Sequence, residues 1–364
     1  MATKEDSNSL LEKLNKAKIG GAAGASPNGF GTSLTLSSHV EYGVPTRIPE
    51  LDLSLGVAGW PAGRVIEFFG LAMSGKTTGA YHALAACQKA GGTSVLIDTE
   101  RTFDPDRAEQ CGIDPETLLV LEANDIEEVF QKIEVIMKER LEGDLQSPMM
   151  VVVDSITAVE TRYNSERGFE EEVRVGEDAR AIRRGLRKLT GDIAKSNMTI
   201  IFINHSTALI GKQFGKQSDS AGGNAIKLFA SNRLEFQFVS NIYEGARGDD
   251  DRVRRGQTSA LTLHKNKMAA TGQPVVTVEL TENGFDMYGG LFDAFMKIGA
   301  IEKINNVNYH FLPTKTTMAK KDWRKFVDGY SNEKGEVMGL EGFYTYFLKL
   351  AQNDGYIKPY GGKK

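Results

Sequence analysis

The sequence predicts an α/β fold: a mostly parallel, twisted sheet with helices on both faces and an antiparallel extension, plus an N-terminal helix and arm and a small C-terminal α+β domain. Three observations predict it. Apolar strands at residues 93–98, 149–154 and 199–204 alternate with amphipathic helical stretches, the pattern of parallel strands joined by covering helices. Strands at 233–239, 260–264 and 275–281 follow too closely for crossover helices and read as antiparallel. The apolar run Val65 to Phe69 leads into a glycine-rich octet, Gly70 to Thr77, and helix-forming residues follow it.

In chain order, residues 1–40 read as an N-terminal helix, a linker and an oligomerisation strand. Leu10, Leu11 and Leu14 share one face of a helix over 9–18, residues 20–29 are glycine- and alanine-rich linker, and 33–36 is a short strand. Three leucines build no core alone, so this helix docks on the main domain or on a neighbouring subunit. Residues 41–284 form the main α/β domain. Residues 285–364, with tyrosine, tryptophan and lysine interleaved, form the small C-terminal domain.

Composition narrows the function. Lys plus Arg number 44 and Asp plus Glu 48, a net charge of −4. No global basic field announces nucleic acid, so any polyanion site is local. Cys87 and Cys111 are too few for a disulfide framework or a four-cysteine zinc site and suit a reducing cytoplasm. No stretch is long enough for a membrane span, and the first residues lack a signal-peptide apolar core.

The octet fits the G-x-x-x-x-G-K-[ST] pattern of a phosphate-cradling loop. Its glycines, Gly70 and Gly75, let backbone N–H groups approach phosphate oxygens, and Ser74 and Thr78 flank the cradle. Lys76 would reach the β- and γ-phosphates of ATP, and Thr77 would ligate Mg²⁺. Met149 to Asp154 is a hydrophobic strand ending in an acid, which delivers Asp154 to the same sheet edge to support the metal. Glu100 follows another apolar strand. On spacing alone it is equally a solvated turn carboxylate or the base that deprotonates the attacking water.

From Arg47 to about Phe311 the chain resembles the RecA-type homologous recombinases (the RecA/UvsX family), which implies a RecA-like P-loop ATPase core. Residues 97–105, Ile-Asp-Thr-Glu-Arg-Thr-Phe-Asp-Pro, match the segment carrying the family's catalytic glutamate, so the resemblance makes Glu100 the base. It also places Asp104 and Arg107 at the adenine, Arg107 standing where the family has an aromatic stacker. Residues 201–205, Ile-Phe-Ile-Asn-His, resemble the strand whose polar end senses the γ-phosphate, so His205 is the sensor. Bacterial members usually have glutamine there and phage UvsX-type members histidine, and the unfamiliar tail points the same way, to a phage-encoded member.

Two loops are implied to bind DNA. The stretch after His205 carries Ile210, Lys212, Phe214 and Gly222-Gly223-Asn224; glycines admit phosphates and Ile210 can wedge between bases. The family's basic positions at Thr207 and Leu209 are absent. The other loop, 162–178, contains Val175 and feeds a helix on which Arg180, Arg183, Arg184 and Arg187 share a face, either a phosphate-binding stripe or a solvated surface.

Residues 263–270 match the family's K-x-K segment, whose lysines, here Lys265 and Lys267, reach the ATP of the adjacent subunit. Ala72 and Leu228 replace an acidic and an aromatic family position. The resemblance thus implies a DNA-stimulated ATPase that forms a helical homo-oligomeric filament on single-stranded DNA and exchanges it into homologous double-stranded DNA. It implies ATP and Mg²⁺ as cofactors, a single-strand-binding protein and a loader as accessory partners, and no membrane. The location is the cytoplasm, the host's for a phage protein. The rival readings are a non-exchanging paralogue that mediates DNA binding and a ring helicase on the same core.

Overall fold

Strands of Val, Ile, Leu and Phe, buried on both faces, need helices on either side, and the computed structural model has that architecture. It describes residues 43–57, 59–143, 147–167, 176–208, 218–220, 223–245, 252–269, 275–332 and 335–358. The expected N-terminal helix, linker and strand lie outside these residues, as do Val175, Ile210, Lys212, Phe214 and Gly222.

In chain order the first half runs β1 (Gly43–Val44), α1 (Pro49–Leu55), β2 (Trp60–Pro61), β3 (Val65–Gly70), α2 (Lys76–Lys89), β4 (Thr93–Asp98), α3 (Pro105–Gln110), β5 (Leu118–Glu122), α4 (Ile126–Glu142) and β6 (Met149–Asp154). Then come α5 (Arg162–Ser165), α6 (Glu177–Ser196), β7 (Met198–Ala208), β8 (Ser218–Ser220), α7 (Ala225–Phe229), β9 (Asn232–Glu244), β10 (Val253–Asn266), β11 (Val276–Thr281) and β12 (Gly284–Phe285). The C-terminal part holds α8 (Met287–Lys297), β13 (Ile301–Lys303), β14 (Asn308–Phe311), β15 (Thr316–Ala319), α9 (Trp323–Gly329) and α10 (Gly339–Asn353).

The large sheet has the order β12-β11-β10-β9-β3-β7-β6-β4-β5, with β8 pairing β7 off the path. Strands from β9 through β5 are parallel, and β10 to β12 continue antiparallel as the close strand spacing predicts. Two expectations need correction. β7 does not end at the Asn204–His205 pair but continues to Ala208, because residues 206–208 find antiparallel partners at 218–220. β9 and β10 are much longer than their apolar stretches, since paired backbone carries them beyond the core as an exposed ribbon with Phe238, Val239 and Tyr243 at the surface.

One sheet face, with Val95, Ile97, Val151, Val153, Ile200 and Phe202, is covered by α4 and α6. On α6, Ile182, Leu186, Leu189 and Ile193 recur at helical spacing and are buried, each contributing about 1.5–3 kcal/mol. That forces Arg180, Arg183, Arg184 and Arg187 to the exposed side. Asp125 caps α4 by accepting the Glu128 N–H at 2.7 Å.

The C-terminal part packs α8, α9 and α10 with a three-stranded antiparallel sheet around Phe292, Phe295, Phe311, Trp323, Phe343 and Phe347. Polar contacts fasten α10 to α1: the Tyr344 hydroxyl donates to buried Asp52 and accepts the Arg47 N–H at 3.0 Å, and Arg47 pairs with Glu341. Burial pushes the Asp52 carboxyl up to about 7, against its bonds to Tyr344 and Thr46. Among the described residues no helix is long and apolar enough to cross a membrane.

Packing of α6 on α4 depends on one missing side chain, since a Cβ on Gly185 would lie 2.4 Å from the Phe130 ring. Gly185→Ala should therefore destabilise the protein by about 1–3 kcal/mol in urea unfolding, and adding Phe130→Leu should recover part of the loss.

Candidate functional site

The site is assembled by strand register. β3, β7, β6 and β4 are adjacent and parallel, and the pairing sets Gly70 opposite His205 and Asp98 opposite Asp154. The carboxyl ends of four strands therefore meet at one edge of the sheet, where ligands of open α/β sheets bind.

Gly70 leaves β3 too close to β9 for any side chain; its Cβ would sit 2.2 Å from the Phe236 carbonyl oxygen. The loop is then held from within and from the side. The Ser74 hydroxyl donates to Leu71 O at 2.8 Å, Gln257 Nε2 of β10 donates to Met73 O at 2.9 Å, and Ser259 Oγ donates to Ser74 O at 3.0 Å. Lys76, the first residue of α2, turns its Nζ onto Leu71 O at 2.7 Å. Burial lowers its pKa, an effect that Asp154 and Glu100 oppose. Thr77 Oγ1 donates to Asp154 Oδ2 at 2.8 Å, so the two residues expected at the metal are in contact, and half-buried Thr78 follows. Burial raises the Asp154 carboxyl to about 6, opposed by the Thr77 hydrogen bond and reinforced by repulsion from Glu100 and Asp98.

Glu100 is placed by a turn organised around Asp98, whose carboxylate accepts the N–H groups of Glu100 at 3.1 Å, Arg101 at 2.8 Å and Phe103 at 2.9 Å. Glu100 Oε1 accepts the Ser155 hydroxyl at 2.8 Å and lies 3.0 Å from His205 Nε2. Burial acts to raise its pKa, but the hydrogen bonds from His205 and Ser155 and the attraction of Lys76 outweigh it and hold the carboxyl below its usual range. Glu100 is thus an ionised carboxylate at the mouth of the phosphate loop. Just beneath, Asn204 Nδ2 donates to Glu67 Oε1 at 2.9 Å, and Arg233 pairs with the same fully buried carboxylate.

The remaining expected residues lie around this centre. Asp104 Oδ1 caps α3, accepting the N–H groups of Asp106 at 3.0 Å and Arg107 at 3.1 Å. The Arg107 guanidinium reaches Thr281 O at 3.2 Å and Glu282 O, on the turn leading into β12. Gly223 and Asn224 are exposed directly before α7, and Leu228 is exposed on it. Arg180 lies 3.4 Å from Glu177, whereas Arg183, Arg184 and Arg187 make no ion pair among the described residues.

Lys265 and Lys267, at the end of β10 and just after it, are not brought to the phosphate loop of their own chain. Lys265 Nζ instead donates to the α7 carbonyls Lys227 O at 2.6 Å and Leu228 O at 3.1 Å. Its pKa is lowered by burial first and then by Lys267 and Arg233. Sequence reasoning missed Ser155, Asp98, Gln257 and Ser259. Ser155 adjoins the acid that ends β6 and Asp98 is itself the acid that ends β4, a signal that was present; Gln257 and Ser259 become visible only through the β9–β10 pairing.

A profile of the RecA N-terminal domain family matches residues 31–285. The chain is 36% identical over 253 residues to Protein RecA of Gluconacetobacter polyoxogenes, covering 70% of this chain and 69% of that protein. It is 34% identical over 253 residues to Protein RecA of Acinetobacter baylyi, with 70% and 69% covered, and 34% identical over 278 residues to that of Cytophaga hutchinsonii, with 76% and 75% covered.

Asp154 makes a stability prediction with a definite sign. A carboxyl at about 6 in the folded chain and 3.8 otherwise favours folding when protonated, and that advantage is lost as pH rises from about 4 through 6. Asp154→Asn should therefore unfold at higher urea than wild type above pH 6, by roughly 1–3 kcal/mol, with the difference shrinking toward pH 4.

Proposed function

We infer function from one premise, that the chain belongs to the RecA family. It is an ATP-dependent homologous-recombination protein, a DNA-dependent ATPase that forms filaments on single-stranded DNA and catalyses homologous pairing and strand exchange. The observation that carries the residue-level reading is the Glu100 carboxylate, ionised and fixed by Ser155 and His205 beside a lysine-bearing phosphate loop.

In this reading the backbone from Gly70 to Gly75, with Ser74, cradles the ATP phosphates, and Lys76 leaves Leu71 O to meet their charge. Thr77 and Asp154 offer a hydroxyl and a carboxylate oxygen, hard donors already in contact, which fits Mg²⁺. Among the described residues no group of three His, Cys, Asp or Glu could hold a metal alone, so phosphate oxygens and water would complete the shell. Bound there, Mg²⁺ would neutralise phosphate charge. Glu100 accepts a proton from water as its oxygen attacks the γ-phosphorus and the bond to ADP breaks.

His205 links this chemistry to DNA, since it touches Glu100 while its strand continues to Ala208, at the edge of the first DNA-binding stretch. Asp104 and Arg107 flank the adenine. DNA is held by Val175, Ile210, Lys212, Phe214, Gly222, Gly223 and Asn224 and by the arginines of α6, contacts that grip backbone and stack on bases while base pairing reads sequence. Lys265 and Lys267 serve the ATP of the neighbouring protomer, in keeping with the engagement of Lys265 on α7, away from its own phosphate loop. We further place the protein in the cytoplasm, working with a single-strand-binding protein and a loader.

Single-stranded DNA should stimulate ATP hydrolysis by the wild type and Lys76→Ala should abolish it, with strand exchange lost in parallel; hydrolysis indifferent to DNA would overturn the reading. Replacing Arg183 and Arg187 together by alanine should weaken single-strand binding across sequences and reduce the slope of log affinity against log salt by about 2, as read by fluorescence anisotropy.

A further inference from the structure

The two lysines sit on a turn whose geometry is controlled by the residue between them. Asn266 ends β10, paired with Asn232 of β9, and its side chain spends three hydrogen bonds on different parts of the fold. Its Oδ1 accepts Asn232 Nδ2 at 3.0 Å and the Met268 N–H at 2.9 Å, and its Nδ2 donates to Leu55 O at 3.0 Å. The first bond ties the turn to the strand next to β3, the second closes the turn around Lys267, and the third anchors it to the last carbonyl of α1. A backbone bond from Lys267 N to Ser231 O at 3.0 Å completes the frame.

The lysines themselves are held differently. The fixed backbone ends in long side chains, and that of Lys265 rests on the carbonyl end of α7. A fixed backbone under long cationic side chains is what delivery of charge to another molecule requires, because a displacement of about 1 Å at such a group costs up to about 100-fold in rate. A residue with no other task than packing would not need an amide: leucine-sized apolar volume would serve, whereas here acceptor and donor halves are both used.

We propose that Asn266 is a positioning residue for ATP hydrolysis at the neighbouring protomer's site, holding the turn that presents Lys265 and Lys267. The proposal rests on the reading that these lysines act in trans. A positioning role of this kind weakens transition-state stabilisation more than nucleotide binding. Asn266→Ala should lower kcat of DNA-stimulated hydrolysis about 10- to 100-fold while KM for ATP changes little. Asn266→Asp, which keeps both acceptor bonds and loses the donation to Leu55 O, should fall between.

The test mixes full-length proteins. Glu100→Gln subunits lack the base but carry an intact turn, whereas Asn266→Ala subunits carry an intact base and a loosened turn. Filaments of the two together should hydrolyse ATP faster than the sum of each alone, because some Asn266→Ala sites then face an intact turn. Asn266→Ala with normal kcat, or deficient and not complemented, overturns the proposal; a defect confined within the variant's own protomer gives the second result. Lys265→Ala mixed with Glu100→Gln is the control. If that pair complements and Asn266→Ala does not, only the role of Asn266 fails; if neither complements, the trans reading of the lysines fails with it.

Discussion

Everything at the site depends on the register of four parallel strands. Because the Cα pairing sets Gly70 against His205 and Asp98 against Asp154, the loop that leads to Lys76 and Thr77, the turn that bears Glu100 and the ends of β6 and β7 all leave the sheet at one edge. Backbone hydrogen bonds and a core buried on both faces fix that register; a slip of one residue would turn each side chain to the opposite face. The loops then refine what the strands place. Asp98 shapes the turn bearing Glu100, and Gln257 and Ser259 brace the phosphate loop from the antiparallel side.

A second constraint is polar and buried. Glu67, fully enclosed on β3, binds Asn204 of β7 and Arg233 of β9. Desolvating such a pair offsets much of its attraction, so its value lies less in stability than in fixing one arrangement of three adjacent strands. Its position adjoins the site, since Asn204 precedes His205 and the charges of Arg233 and Glu67 are felt by Lys265. Each reactive group is meanwhile engaged within the chain: Lys76 on Leu71 O, Glu100 on His205, Lys265 on α7. In the proposed reading, nucleotide, DNA and a neighbour would compete with these contacts, which would tie hydrolysis to assembly.

Much of this was legible in the sequence. The buried strands at 93–98 and 149–154 coincide with β4 and β6, because apolar runs closed by an acid leave little ambiguity in parallel sheets. Lys76, Thr77 and Asp154 were named from motifs and Glu100 and His205 from the family resemblance, and Thr77 touches Asp154 as Glu100 touches His205. What escaped was non-local. The length of β9 and β10 is set by pairing outside the core, where hydrophobicity gives no signal, and the extension of β7 to Ala208 is set by antiparallel partners at 218–220. β5 and the three short strands of the C-terminal part were also missed, since strands of three to five residues carry too weak a period to read. Ser155 needed the fold to show that its hydroxyl points at Glu100.

In the proposed reading one chain holds half of a hydrolytic site and its neighbour the other half. Electron cryomicroscopy of the protein on single-stranded DNA with a non-hydrolysable ATP analogue tests it most directly. A helical filament is expected with the analogue between protomers, its phosphates held by Lys76 and Thr77 of one and its γ-phosphate met by Lys265 and Lys267 of the next. An analogue enclosed by a single protomer, with both lysines remote from every γ-phosphate, would contradict it.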